Sequence, residues 1–231
     1  SGSSPSQRFQ PNQGGTNGNY GSGLGRTGDA VKRCIIIGKP NAGKTVFTLN
    51  FAAYLGTAPL HLAVRQDKTT SWKTYGLDEA IEQLTSPKPH RTLNLQELVV
   101  ALPARKGVKR IQLIDTCGLV EGIPEQQDIR RAMAETLAAV RDAHLILHII
   151  DASRVKAAGT VEALGEVDYQ VAQFGQLRDG YLILANKIDL PEAKEGLELI
   201  AREFAGHQVM PISALYQQGF KAVKQFVQRH I

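Results

Sequence analysis

The octapeptide Gly38-Lys39-Pro40-Asn41-Ala42-Gly43-Lys44-Thr45 fits the pattern G-x-x-x-x-G-K-[ST] and follows the apolar run Cys34 to Ile37. It opens an apparent helix running through Leu55. No other feature restricts the fold as strongly, because this pattern works only where a strand hands over to a helix. Its glycines let backbone N–H groups curl around a diphosphate, and the helix N-terminus adds positive potential. The predicted phosphate donors are the amides of Asn41, Ala42, Gly43, Lys44, Thr45 and Val46. The Lys44 ammonium would reach the β- and γ-phosphates, and the Thr45 hydroxyl would ligate Mg2+.

The rest of the chain alternates in kind. Further apolar runs, Ile111 to Ile114, Leu145 to Ile150, Tyr181 to Ala185 and Val209 to Ile212, lack polar alternation, as strands covered on both faces do. Between them, apolar residues recur at helical spacing: Ile129, Met133, Leu137 and Val140; Leu164, Val167, Val171 and Phe174; Leu197, Ile200 and Phe204. Phe220, Val223 and Val227 mark a last helix, and Leu77 to Leu84 a short one. Leu93 to Leu102 reads as an antiparallel edge strand. The expected fold is α/β with three layers: a mostly parallel six-stranded sheet, one antiparallel edge strand, and helices on both faces.

Residues 1–29 are rich in Gly, Ser, Asn and Gln and read as a disordered tail that cannot offset its ordering entropy. Residues 30–231 form the expected globular domain, with a variable region around 56–93. No apolar run approaches the roughly 20 residues of a membrane helix. Two cysteines, Cys34 and Cys117, beside strand-like runs suggest buried reduced thiols and a cytoplasmic setting. No Cys/His cluster has zinc spacing. The net charge of +5 is compatible with RNA or ribosome contact, although a solvated basic surface is its commoner meaning.

Two more constellations carry chemistry. Asp115-Thr116-Cys117-Gly118 ends a strand beside the phosphate loop, where a carboxylate can accept from a magnesium-bound water. Gly118 could turn its N–H toward a γ-phosphate. Asn186-Lys187-Ile188-Asp189 follows another strand. Guanine presents two adjacent donors that the Asp189 carboxylate can accept in a fork, whereas adenine would leave that carboxylate partly unpaired. The Lys187 stem could lie against the base, and Asn186 could tie this loop to the phosphate loop. Ser213-Ala214 follows the last strand-like run, placing the Ala214 N–H as a donor to guanine O6.

With these four motifs in order, the chain resembles P-loop GTPases of the TRAFAC class, and among them the Era/Obg-like bacterial GTPases. The resemblance spans roughly Val31 to Ile231 and implies a Ras-like G domain. Gly38 to Thr45 is similar to the family form G-x-P-N-x-G-K-S. Asp115 to Gly122 resembles D-x-P-G-L-x-E-G, with Cys117 where this branch usually has proline, which would either alter the stiffness of the second switch or leave a thiol near the γ-phosphate. Leu119 stands where Ras-type enzymes have the water-orienting glutamine, so unaided hydrolysis should be slow. Asn41 matches an asparagine that in several relatives helps hold K+ beside the phosphates, which implies potassium-stimulated turnover.

The resemblance therefore implies a GTP-hydrolysing switch with GTP/GDP as ligand, Mg2+ held by Thr45 and Asp115, and Lys44, Gly118 and Asn41 as catalytic groups. It also requires a threonine that closes on the metal. Thr70, within the polar stretch Lys68 to Trp72, is preferred over Thr69 and Thr74. Two rivals remain open: a nucleotide-dependent binding module with negligible hydrolysis, and a partitioning-type ATPase suggested by Asn50 to Leu55. The expected partners are a protein or ribonucleoprotein effector, the ribosome among them, and a nucleotide-dependent dimer.

Overall fold

The computed structural model describes residues 31–66, 69–85, 94–103, 107–155 and 164–231. The N-terminal tail lies outside the described residues. Apolar runs that are buried on both faces become the strands β1 (Lys32–Ile37), β5 (Val108–Asp115), β6 (Leu145–Asp151), β7 (Tyr181–Asn186) and β8 (Val209–Pro211). These five lie parallel, in the order β5-β1-β6-β7-β8.

On the β5 side the sheet continues through β4 (Leu95–Pro103), β2 (Leu60–Gln66) and β3 (Thr69–Tyr75), each antiparallel to its neighbour. Among the described residues the sheet thus has eight strands, correcting the expected six. The predicted antiparallel strand exists, but β2 and β3 cover it and β3 is the edge. The correction has a physical cause. Six of the seven β3 residues are exposed, so Thr69 to Tyr75 shows no apolar alternation and reads as a polar loop.

Six helices complete the layers among the described residues: α1 (Lys44–Tyr54), α2 (Leu77–Leu84), α3 (Gln127–Arg141), α4 (Glu166–Gly175), α5 (Ala193–Glu203) and α6 (Phe220–His230). Alternate residues of β1 decide which core each face builds. Cys34 and Ile36 join Phe47, Phe51, Ile81, Phe220 and Phe226, bringing α1, α2 and α6 onto one face. Ile35 and Ile37 join Val140, Ala172 and Ile200, bringing α3, α4 and α5 onto the other.

The first core centres on three rings. Phe220 meets Phe47 and Phe51 edge-on at 5.3 and 5.5 Å, while those two stack at 5.1 Å. This anchors α1, and with it the loop that opens it. Phe220→Ala should lower the unfolding free energy by about 3–5 kcal/mol in a denaturant titration, as large-to-small changes in tight cores do.

Candidate functional site

All the predicted motif loops leave the carboxyl edge of the parallel strands. β5 and β6 flank β1 on opposite sides, so the chain reverses its winding direction there, and the crevice at such a point is where open α/β sheets bind ligands. Asp115, Asp151 and Asn186 each close a strand at that edge, with Ile36 paired to Asp115 and Asp151 to Asn186.

The phosphate loop is shaped by backbone. Gly43, just before α1, has φ 97°, a left-handed conformation that glycine takes at no steric cost. A Cβ there would also stand 2.3 Å from Asn186 Nδ2. That asparagine is 2% exposed. Its Nδ2 donates to the Ala42 carbonyl at 2.8 Å, and its Oδ1 accepts from the Ala214 N–H at 2.9 Å. Asn50, on α1, donates to the Ala214 carbonyl at 2.9 Å. One side chain thus joins three loops. Asn50, the start of the stretch that suggested a partitioning ATPase, supports the same junction.

The Ala214 N–H, the expected donor to guanine O6, is engaged with Asn186 Oδ1 in this structure. Ser213 is buried, and its Oγ accepts from the Tyr216 N–H at 3.3 Å.

The magnesium side is compact. Thr45 Oγ1 donates to Asp115 Oδ2 at 2.7 Å. Asp115 Oδ1 is buried and has no hydrogen-bond partner among the described residues. A buried carboxylate oxygen without a partner is costly, and it fits a site that expects a hydrated cation. Burial pushes the Asp115 carboxyl up to about 6 despite the Thr45 hydroxyl and nearby Lys44. Burial likewise pushes the Lys44 ammonium down to about 8, against the attraction of Asp115. Lys44 Nζ donates to the Lys39 carbonyl at 2.9 Å. Among the described residues no group of three or more His, Cys, Asp or Glu could hold a metal. The Thr45 and Asp115 pair suits magnesium, which takes most of its ligands from water and phosphate.

Asp189 is exposed at the mouth of the crevice. Lys187 has φ 68°, and its Nζ lies 2.5 Å from Asp151 Oδ2. Asp151 Oδ1 accepts in turn from the Ser153 N–H at 3.1 Å and hydroxyl at 2.6 Å. Sequence reading missed Asp151, although it ends the run Leu145 to Ile150 just as Asp115 ends its own.

Gly118 lies directly against the Pro40 backbone, and the next amide, Leu119 N–H, donates to the Gly38 carbonyl at 3.1 Å. The Leu119 side chain is 3% exposed. Cys117 is buried, as expected of a reduced thiol, with Sγ 3.3 Å from Thr136 Oγ1 on α3, and burial raises its thiol above the ordinary range. Thr70 lies on β3, three strands from β5. At roughly 4.8 Å per strand it stands about 14 Å from the Asp115 strand, so the structure does not bring it to Thr45 and Asp115. Trp72, on the same strand, is 69% exposed.

Comparison with known proteins agrees with this geometry. The family model described as 50S ribosome-binding GTPase matches residues 33–187. GTPase Obg from Desulfatibacillum aliphaticivorans is 28% identical over 111 residues, covering 47% of this chain and 32% of the relative. The tRNA modification GTPase MnmE from Symbiobacterium thermophilum is 27% identical over 211 residues, 90% of this chain and 37% of the relative. The chain thus spans about a third of the length of these two relatives. A structure of Era with MgGDPNP and a segment of 16S ribosomal RNA superposes with a TM-score of 0.60 at 22% identity, covering 87% of this chain and 56% of that one. At that identity the likeness speaks for the fold.

Asn186→Ala would leave a buried carbonyl and a buried N–H unpaired. It should cost about 2–4 kcal/mol in thermal or denaturant unfolding and weaken guanine-nucleotide binding in a fluorescence titration.

Proposed function

On the premise that this chain belongs to the 50S ribosome-binding GTPase family, P-loop GTPases of the Era/Obg type, we propose that it binds GTP with magnesium and hydrolyses it to GDP and phosphate as a conformational switch. The observation that carries the reading is the Asn186 side chain, which bonds the phosphate loop on one side and the Ala214 loop on the other. Phosphate grip and base reading are thereby held in one register.

The roles follow from placement. Amides of Asn41 to Val46 wrap the diphosphate, and the Lys44 ammonium exchanges the Lys39 carbonyl for phosphate oxygens. Thr45 and Asp115 hold magnesium, which when bound supplies positive charge at the β- and γ-phosphate oxygens. The Gly118 N–H positions the γ-phosphate or the attacking water. The Asp189 carboxylate accepts from guanine N1–H and N2, and Lys187, steadied by Asp151, lies along the base. Asn41 would help hold a potassium ion beside the phosphates. Catalysis is positioning and electrostatics, with no general base.

A second reading, a binding module with negligible turnover, is favoured by one observation. Leu119 has no polar side-chain atom with which to orient water, and it is buried. Single-turnover phosphate release separates the two readings. The family description also motivates a ribosomal particle as effector, to be tested by co-sedimentation of the GTP-locked protein. Light scattering with GDP and a GTP analogue tests a nucleotide-dependent dimer. Two free buried thiols fit the proposed cytoplasmic setting.

Titration with fluorescent GDP, GTP and ADP should show guanine preference. Asp189→Asn should erode that preference at least about thirtyfold, roughly 2 kcal/mol. A wild-type protein that prefers ADP would overturn the proposal. GTP turnover should rise when sodium is replaced by potassium, and equal rates would remove Asn41 from the catalytic set.

A further inference from the structure

Lys39 is the second residue of the phosphate loop, yet its side chain turns away from the Asn186 junction. Its Nζ lies 3.0 Å from Glu121 Oε1 and 2.9 Å from Asp168 Oδ2. Glu121 sits three residues beyond Gly118, and its Oε2 accepts the Val167 N–H in the first turn of α4 at 3.1 Å. Asp168 is fixed from behind. Its Oδ2 accepts the Gly165 N–H at 3.2 Å, and its Oδ1 faces His148 Nε2 on β6 at 3.3 Å. His148 Nδ1 lies 2.9 Å from the Tyr181 hydroxyl on β7.

Two further facts mark this as a built arrangement rather than a chance surface pair. A Cβ at Gly165 would stand 1.9 Å from Glu121 Oε1 and 2.4 Å from Lys39 Nζ, so the start of α4 is open only because it lacks a side chain. Asp168 is nearly fully buried, at 3% side-chain exposure. Burial alone would raise its carboxyl, but His148 and Lys39 hold it below the usual range. Lys39, which partial burial would lower, is held above its ordinary value by Asp168 and Glu121.

We propose that Lys39, Glu121 and Asp168 form a clamp that positions Gly118 for the γ-phosphate and thereby sets the preference for guanosine triphosphate over diphosphate. The inference rests on the guanine-nucleotide reading above. The segment after β5 is held at two points, by Leu119 N–H on the Gly38 carbonyl and by Glu121 on Lys39. Gly118 lies just ahead of both. Glu121→Gln and Asp168→Asn leave in place the Lys39 main chain, whose carbonyl accepts the Ala42 N–H at 3.4 Å and the Lys44 ammonium at 2.9 Å, so weakening the clamp should be felt chiefly by the third phosphate. Lys39, Glu121 and Asp168 are positioning residues.

The test is equilibrium binding of fluorescent GDP and a non-hydrolysable GTP analogue to the full chain and to Glu121→Gln and Asp168→Asn, with thermal melts as the folding control. Both variants should weaken the triphosphate analogue by about fivefold or more while GDP changes by less than about twofold, the scale expected for a partly buried charged contact. A ratio unchanged in Glu121→Gln overturns the clamp. So does an equal loss of both nucleotides, which would mark a packing role. If Glu121→Gln melts before the assay temperature, Asp168→Asn reads the same ratio from the far side of Lys39. A wild-type chain that binds neither nucleotide removes the function reading itself, a result distinct from any change in ratio.

Discussion

Asn186 is the hinge pin of the site. Its amide supplies a donor and an acceptor at one end of a short, stiff side chain, and each meets a different loop. An aspartate could not donate to Ala42, and a longer glutamine would displace the partners. The left-handed Gly43 leaves the space through which this side chain reaches the phosphate loop. The order of dependence runs from aromatic packing, which fixes α1 against α6, to the loop before α1, to the loops after β7 and β8. Stability and recognition therefore share residues, as buried, fully satisfied polar networks tend to arrange.

The charges at the centre have the opposite character. Lys44 and Asp115 are both buried, and burial works against the charge of each. One Asp115 oxygen has no partner among the described residues, and Lys44 rests on a main-chain carbonyl. Such groups are destabilising in isolation and become favourable when counter-charge arrives in a low-dielectric setting. In the proposed function, a phosphate chain with its cation would supply both signs at once.

What could be read from the sequence divides along the same physical line. The strands β1, β5, β6, β7 and β8 are legible because burial on both faces demands unbroken apolar runs, and α3 to α6 because one apolar stripe recurs at helical spacing. The motifs at the phosphate loop, Asp115 and Asn186 to Asp189 stand out in the sequence because phosphate, cation and base binding would each need particular side chains at fixed spacing, and the fold gathers them at one sheet edge. β3 does not stand out. An edge strand exposed on both faces has no alternation to betray it, so Lys68 to Trp72, with Thr70, reads as a polar loop. Asp151 and Asp168 carry no local motif, and the motif that contains Glu121 does not show which group it meets. Their roles arise from partners 20 to 129 positions away that only folding brings near.

The segment from Thr116 to Glu121 shows how these levels join. Thr116 Oγ1 donates to the Ile36 carbonyl at 2.7 Å, Leu119 N–H to the Gly38 carbonyl, and Glu121 reaches the Lys39 ammonium. Successive bonds along the segment land on successive parts of β1 and the loop after it. The ladder that pairs β5 with β1 thus continues past the end of the sheet, first through a hydroxyl, then a backbone amide, then an ion pair. Each step is more exposed than the one before, so the bonds should loosen from the Glu121 end inward. A segment fastened in that graded way can shift at its Glu121 end without disturbing Asp115 at its root, which is what the proposed switch would need.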